Sequence, residues 1–159
     1  MPCMRAATVR QRSLRVDCVV HLRHPIEQVF SYLSDFTTAP RWDPVTRRAE
    51  FLAGDGREGT TYRSTMSIAG WTTRLEHRVV EYVPANRLRL AAAGAHLRVE
   101  DTFTFRATDR GTTVHAIRDV QLLGRARLFT PLLGPALAAA GGRGEQGLRA
   151  CLEPLPLAA

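Results

Sequence analysis

The feature that most constrains the fold of this chain is an alternation of polar and apolar side chains through its middle. Ser64 and Met66 fall on one face of such a segment, for example, while Arg63 and Thr65 fall on the other. A period of two residues is typical of a β-strand with one buried face. The pattern predicts seven strands, at 15–22, 45–52, 60–68, 71–83, 87–93, 97–107 and 112–122.

Short turns join most of these strands, so neighbours along the chain are expected to pair antiparallel. Ala69-Gly70 and Asp109-Arg110-Gly111 are two such turns. The resulting sheet has one apolar face that another element must cover. The segment 128–152 can form an amphipathic helix for this purpose. Its expected buried stripe comprises Leu128, Leu132, Leu137, Ala140, Gly144, Leu148 and Cys151.

The chain between the first two strands is expected to be helical. Pro25 suits the first turn of a helix, and apolar residues follow it at helical spacing. The segment 35–44 is interpreted as a second short helix or turn. The sequence therefore predicts an α+β fold, in which a curved antiparallel sheet wraps around a long C-terminal helix. Glycines on that helix would leave an apolar cavity between the two.

Composition places the chain among single-domain globular proteins. It has 159 residues, 45% of them hydrophobic. We expect a basic, flexible arm at 1–14, one domain at 15–153 and a tail at 154–159. Three isolated cysteines indicate reduced thiols and a cytoplasmic protein. No segment resembles a secretory signal or is apolar enough to span a bilayer.

The charge is +7, and all basic residues are arginine. A basic surface favours anionic partners. The arginines are dispersed, however, and the densest group, Arg5, Arg10, Arg12 and Arg15, matches no nucleic-acid motif. We therefore expect no nucleic-acid partner, and either a monomer or a homodimer.

The order of one strand, two short helices, a six-strand meander and a long helix resembles the START-like (SRPBCC) superfamily. The resemblance is to its polyketide cyclase/dehydrase and lipid-transport branch, and it spans 15–153. It is carried by Val20-x4-Pro25-x3-Val29-Phe30, Asp35, Trp42-Asp43-Pro44, Val79-x4-Pro84, Arg87-Leu88, Gly111-Thr112 and Leu148-x3-Leu152-Glu153. It implies a helix-grip fold whose cavity binds lipids, hormones, quinones or aromatic polyketides. It implies no shared catalytic motif, and the glycine-rich final helix departs from its pattern.

Three polar residues are candidates for catalysis within such a cavity. His77 and Asp101 lie on apolar strand faces, where a neutral imidazole could act as a base and a carboxylate would need a partner. Arg118 could supply that partner or bind a carboxylate or enolate. The phase of the last strand stays open from sequence. Either the set that contains Arg118 or the set that contains His115 and Asp119 faces inward.

The remaining inward-facing residues are candidates for contact with a ligand. They are Tyr62, Ser64, Met66, Trp71, Thr73, Leu75, Leu90, Val99, Phe103 and Phe105. The histidines and cysteines have no metal-ligand spacing, and no glycine-rich phosphate loop is present. We therefore expect neither a metal nor a cofactor.

Three functions remain open at this level. The favoured one is binding of a small hydrophobic molecule, such as a lipid, a polyketide or another aromatic or isoprenoid-like compound, in the cavity. The alternative is an aromatase/cyclase-type enzyme that uses the polar residues as acid and base, for which an acidic acyl carrier protein would be a fitting partner. An interaction or stress-response module is the second alternative, since a fold does not fix a function.

Overall fold

The computed structural model describes residues 8–10 and 13–155. The alternation predicted from sequence forms an antiparallel sheet. The strands are β1 (Thr8–Arg10), β2 (Ser13–Leu22), β3 (Thr46–Ala53), β4 (Thr61–Ile68), β5 (Trp71–Val83), β6 (Arg87–Ala93), β7 (Leu97–Thr108) and β8 (Gly111–Leu122). The helices are α1 (Ile26–Ser34), α2 (Ala39–Trp42) and α3 (Thr130–Leu152), with 3-10 turns at Phe36–Thr38 and Gly124–Phe129.

The strand order is β1-β2-β8-β7-β6-β5-β4-β3, so the meander from β3 to β8 is completed by the first long strand, which pairs with the last. The predicted α+β helix-grip fold and its seven strands are confirmed, and the short β1 adds an eighth. The first long strand begins at Ser13, two residues before the expected start of the domain. None of the helices in the described ranges is long and apolar enough to cross a membrane.

The position of β8 between β2 and β7 brings together charged residues of the candidate site. It pairs with β2 on one side and with β7 on the other, and Arg118 lies opposite Asp101 of β7. The β7–β8 hairpin closes through Gly111, whose φ is +134°. A Cβ there would overlap the backbone of Leu22 and Arg23, so the tight turn requires glycine.

The buried face of α3 differs from the predicted stripe. Leu128 and Leu132 are 80% and 63% exposed, and Leu133 is buried instead. Leu128 lies in the 3-10 turn at Gly124–Phe129, before the α-helix begins. Leu133 is four residues before Leu137 and so continues the buried stripe, whereas Leu132 is five residues before it. The buried stripe of α3 comprises Leu133, Gly134, Leu137, Ala140, Gly142, Leu148 and Leu152.

The core consists of two hydrophobic clusters between the sheet and the helices. One packs α1, α2 and the end of α3 on the sheet, with Phe30, Phe36 and Phe105 at its centre. The other packs the first half of α3 against the opposite end, around Leu75 and Leu137. The candidate site lies where these clusters meet.

Candidate functional site

A cavity of about 70 Å³ lies between the sheet and α3. Residues of both core clusters form its apolar wall, which includes Val16, Val20, Trp42, Phe103, Leu137 and Leu148. Its polar groups come from Asp43, Asp101, Arg118 and Glu145. Small residues of α3 (Ala140, Gly141 and Gly144) face the cavity from the helix side. Two glycines of the final helix, Gly141 and Gly144, therefore border the cavity.

Arg118 lies between two buried carboxylates. Its Nε donates to Asp101 Oδ1 at 2.6 Å, and its Nη2 donates to Asp101 Oδ2 at 3.2 Å. The same Nη2 lies 2.9 Å from Asp43 Oδ2. Strand pairing explains the first contact, because Asp101 and Arg118 are directly opposite in the β7–β8 ladder. Asp43 arrives from the end of α2. We call Asp43, Asp101 and Arg118 the charged triad.

The backbone around α2 fixes the third member of the triad. Thr46 Oγ1 donates to Asp43 Oδ2 at 2.7 Å, and the backbone N–H of Val45 donates to Oδ1 at 3.2 Å. These bonds hold the Asp43 carboxylate in the orientation in which it contacts Arg118. Asp43 is not among the site residues predicted from the sequence. Its only signal was the Trp42-Asp43-Pro44 motif of the family resemblance.

Burial and neighbouring charges have opposite effects on the pKa values of Asp101 and Arg118. Burial raises the pKa of Asp101 above its ordinary value, although the adjacent Arg118 lowers it. Burial also lowers the pKa of Arg118, but the charges of Asp101 and Asp43 outweigh that effect and keep it above its ordinary value. Arg118 is therefore charged at neutral pH. With both carboxylates ionised, the triad has a formal charge of −1.

The structure resolves the phase of the last strand. Val114 and Val120 are buried, and Ala116 and Arg118 line the cavity. His115 lies on the other face, where its Nε2 is 2.6 Å from Asp17 Oδ1.

His77 is fully buried but is not among the residues that line this cavity. Its Nε2 lies 2.7 Å from the Ser64 hydroxyl, and its ring lies 4.4 Å from that of Phe36. Burial and the charge of Arg118 lower the pKa of His77 to about 3, so the imidazole is neutral. Its Nδ1 is buried without a hydrogen-bond partner in the described part of the chain. His77 therefore lies outside the lining of this cavity, although the charges of Arg118 and Asp43 still act on its pKa.

The other candidate ligand contacts fall in different places. Phe103 lines the cavity beside the triad. A separate void of about 10 Å³, at the lower limit for a single water, is lined in part by Met66, Trp71, Thr73 and Val99. Four candidates lie within the hydrophobic clusters and line neither of these voids: Tyr62, Leu75, Leu90 and Phe105. Among the described residues, no group of three or more His, Cys, Asp and Glu side chains could hold a metal ion.

Solved structures with the same fold cover nearly the whole chain. A START superfamily protein from Mycobacterium smegmatis is 19% identical with a TM-score of 0.72, over 91% of this chain and 99% of that one. The Zhui aromatase/cyclase from Streptomyces sp. R1128 is 14% identical with a TM-score of 0.73, over 89% and 94%. Ara h 8.0201 is 16% identical with a TM-score of 0.64, over 89% and 98%. At these identities the likeness concerns the fold alone.

The sequence itself matches a family model. No curated protein sequence matches the chain. The model described as "Polyketide cyclase / dehydrase and lipid transport" matches residues 13–155, which is most of the chain. The helix-grip fold and the START-like neighbours agree with that match. The chain therefore belongs to the polyketide cyclase/dehydrase and lipid-transport family.

Proposed function

We propose that this protein binds a small, mostly apolar, uncharged molecule that has hydroxyl or phenol groups at one end. The observation that supports this is the cavity between the sheet and α3, whose wall is apolar except at the charged triad and Glu145. Ligand sites commonly combine apolar walls with a few convergent polar groups. A neutral aromatic polyketide or a hydroxylated isoprenoid-like lipid has this chemistry.

The charge of the triad favours a neutral ligand over an anionic one. Arg118 is already paired with Asp101 and Asp43, so a ligand carboxylate would meet a group with a formal charge of −1. Carboxylate oxygens accept hydrogen bonds, and a ligand hydroxyl can donate to them. The same pairing argues against the sequence-based idea that Arg118 binds a carboxylate or an enolate.

A ligand larger than a few atoms requires α3 to move away from the sheet. The cavity volume is about 70 Å³, whereas sites for drug-sized molecules occupy roughly 300–1,000 Å³. The composition of α3 suits such movement, because Gly141, Gly142, Gly144 and Gly147 each lower its intrinsic stability by up to about 1 kcal/mol relative to alanine. Contacts with the sheet and α2 hold the helix in place.

Binding can be measured with N-phenyl-1-naphthylamine, a neutral probe that fluoresces in apolar sites, together with native mass spectrometry of the purified protein. Ala116→Leu fills the cavity beside Arg118 and should weaken probe binding at least tenfold. The same change at exposed Ala107 is the matched control and should leave binding unchanged. A co-purified neutral compound, displaced by the probe, would identify the ligand class. Equal binding by both variants would place the probe elsewhere and refute the proposed site.

An aromatase/cyclase activity is the second candidate, and the joint presence of Asp101 and Arg118 in one cavity favours it. Two observations weigh against a role for the imidazole in such a reaction: His77 bonds Ser64, and it is not among the residues that line the cavity. If a poly-β-ketone substrate is cyclised, Asp101→Asn should abolish turnover while His77→Gln leaves it within a few-fold. If neither a ligand nor turnover is found, the interaction-module alternative would replace both proposals.

A further inference from the structure

Three large apolar side chains project from the surface where α3 begins. Leu128 is 80% exposed, Phe129 is 59% exposed and Leu132 is 63% exposed. They follow one another within five residues, across the 3-10 turn and the first turn of α3. Contiguous exposure of large apolar residues on a soluble domain commonly marks a surface that contacts another apolar phase. We call Arg125, Arg127, Leu128, Phe129 and Leu132 the helix-start patch.

A surface pocket of about 550 Å³ adjoins this patch. The β4–β5 hairpin and the β6–β7 turn form its other side, and its lining includes Trp71, His96, Ala126, Phe129, Leu132 and Leu133. The pocket is far larger than the cavity at the charged triad and is bordered by different residues. The patch and pocket together form an apolar surface at one end of the domain.

Acidic residues are absent from all three segments that meet at this end. The chain has 15 of them, and none falls within 59–75, 82–99 or 120–144. Arg125 and Arg127 are exposed on the 3-10 turn beside the apolar side chains. Arg127 Nε donates to the Leu122 carbonyl at 3.3 Å, which holds this guanidinium against the turn. The surface around the patch is therefore both apolar and positively charged.

We propose that the helix-start patch docks the protein on an anionic phospholipid surface. Arginines beside projecting Leu and Phe side chains are the combination that binds the interface of an anionic bilayer. The arginines face the phosphate headgroups, and Leu128, Phe129 and Leu132 enter the boundary with the acyl chains. An acidic protein partner would match the charge, but the strongly projecting apolar side chains suit a deformable lipid surface better. The proposal rests on the patch and not on a cavity ligand.

Sedimentation with sucrose-loaded vesicles tests this with the full chain. Vesicles that contain phosphatidylglycerol should bind the wild-type protein, and vesicles of pure phosphatidylcholine should bind it much more weakly. High salt should release it, because surface charge is screened. Arg125→Gln/Arg127→Gln should weaken partitioning by roughly 30-fold, at about fivefold per arginine. Arg106→Gln/Arg110→Gln removes the same charge from exposed positions at the opposite end of β7 and is the matched control.

The apolar contribution is tested by a second pair of measurements. Phe129→Ser/Leu132→Ser should weaken binding at least tenfold, and both residues are exposed enough that the fold should tolerate the change. Phe129→Trp adds an indole to those of Trp42 and Trp71, so brominated acyl chains should quench its fluorescence more strongly than that of the wild-type protein when anionic vesicles are present. Circular dichroism confirms that each variant is folded before its binding is compared.

Three outcomes would overturn the proposal. The first is an absence of vesicle binding by the folded wild-type protein. The second is an equal loss of binding in the patch variants and in the Arg106→Gln/Arg110→Gln control, because that would show an effect of net charge alone. In the third, the wild-type protein self-associates but does not bind vesicles, and Phe129→Ser/Leu132→Ser abolishes the self-association. A second copy of the chain would then occupy the patch.

Discussion

Arg118→Met is the sharpest perturbation of the charged triad. Methionine keeps an unbranched, flexible side chain but removes every donor, so Asp101 and Asp43 lose their cation while both remain buried. Breaking a buried ion pair by removing one partner destabilises proteins by about 3–5 kcal/mol. For a domain of this length, each kcal/mol lowers Tm by about 2–4 °C, which gives a fall of roughly 6–20 °C at pH 7.

The loss of stability caused by Arg118→Met should depend on pH. Burial raises the pKa of Asp101 above its ordinary value, and removal of Arg118 takes away the charge that opposes this rise. A carboxyl group whose pKa is raised in the folded state contributes stability that is complete below its unfolded pKa of about 3.9. That contribution is lost as pH rises through the folded pKa. Arg118→Met should therefore be less destabilised, relative to wild type, at pH 5 than at pH 8.

Urea denaturation followed by circular dichroism measures both effects, and two controls isolate the triad. Arg118→Met/Asp101→Leu removes one of the stranded carboxylates and should recover at least about 1 kcal/mol. Arg15→Met breaks a surface pair with Asp119, whose side chains are 38% and 31% exposed, and should cost at most about 1 kcal/mol. A loss in Arg118→Met no larger than that in Arg15→Met, or one that does not vary with pH, would refute the argument.

Three further results are expected. Gly147→Ala should destabilise the protein by about 1–3 kcal/mol in chemical denaturation, because its Cβ would overlap the backbone of Trp42. Gly144→Ala should instead stabilise it by up to about 1 kcal/mol, because its Cβ would make ordinary contacts at 3.8 and 3.9 Å. Equal effects of the two substitutions would contradict this packing of α3. The imidazole of His77 should remain neutral in NMR spectra from pH 8 down to pH 5, since its pKa is lowered to about 3. The contribution of this neutral imidazole to the free energy of unfolding is complete above pH 6.5 and is lost as the pH falls from there towards 3. Ser64→Ala should cost about 1–3 kcal/mol, because it leaves His77 Nε2 buried without its partner, and an unchanged urea midpoint would show that the bond is weak.

The pairing of Asp101 with Arg118 was within reach of the sequence. The turn at Asp109-Arg110 fixes the register of the β7–β8 hairpin, from Thr108 opposite Gly111 back to the two charged residues. Local turn chemistry therefore determines the partner of Asp101, and the more apolar composition of the set that contains Arg118 favours the face that the structure shows.

Other parts of the site depend on contacts between distant segments. Asp43 reaches Arg118 because α2 packs against α3 and the sheet, and no local pattern encodes that approach. His77 has the alternation of an inward residue, but strand periodicity gives a face and not a position along it. Its place outside the lining of the cavity therefore appears only in three dimensions.

What the sequence by itself determined is the set of strands, the long final helix and the family. Each can be read from local periodicity or from the spacing of residues along the chain, and neither depends on contacts between distant segments. What only the tertiary structure decided is which residues meet at the cavity and where the final α-helix begins. Leu128 lies in the 3-10 turn that precedes the α-helix, although its apolar spacing is compatible with an earlier start of the helix. Where the helix begins depends on how this segment packs against the sheet, and apolar spacing along the chain does not encode that packing.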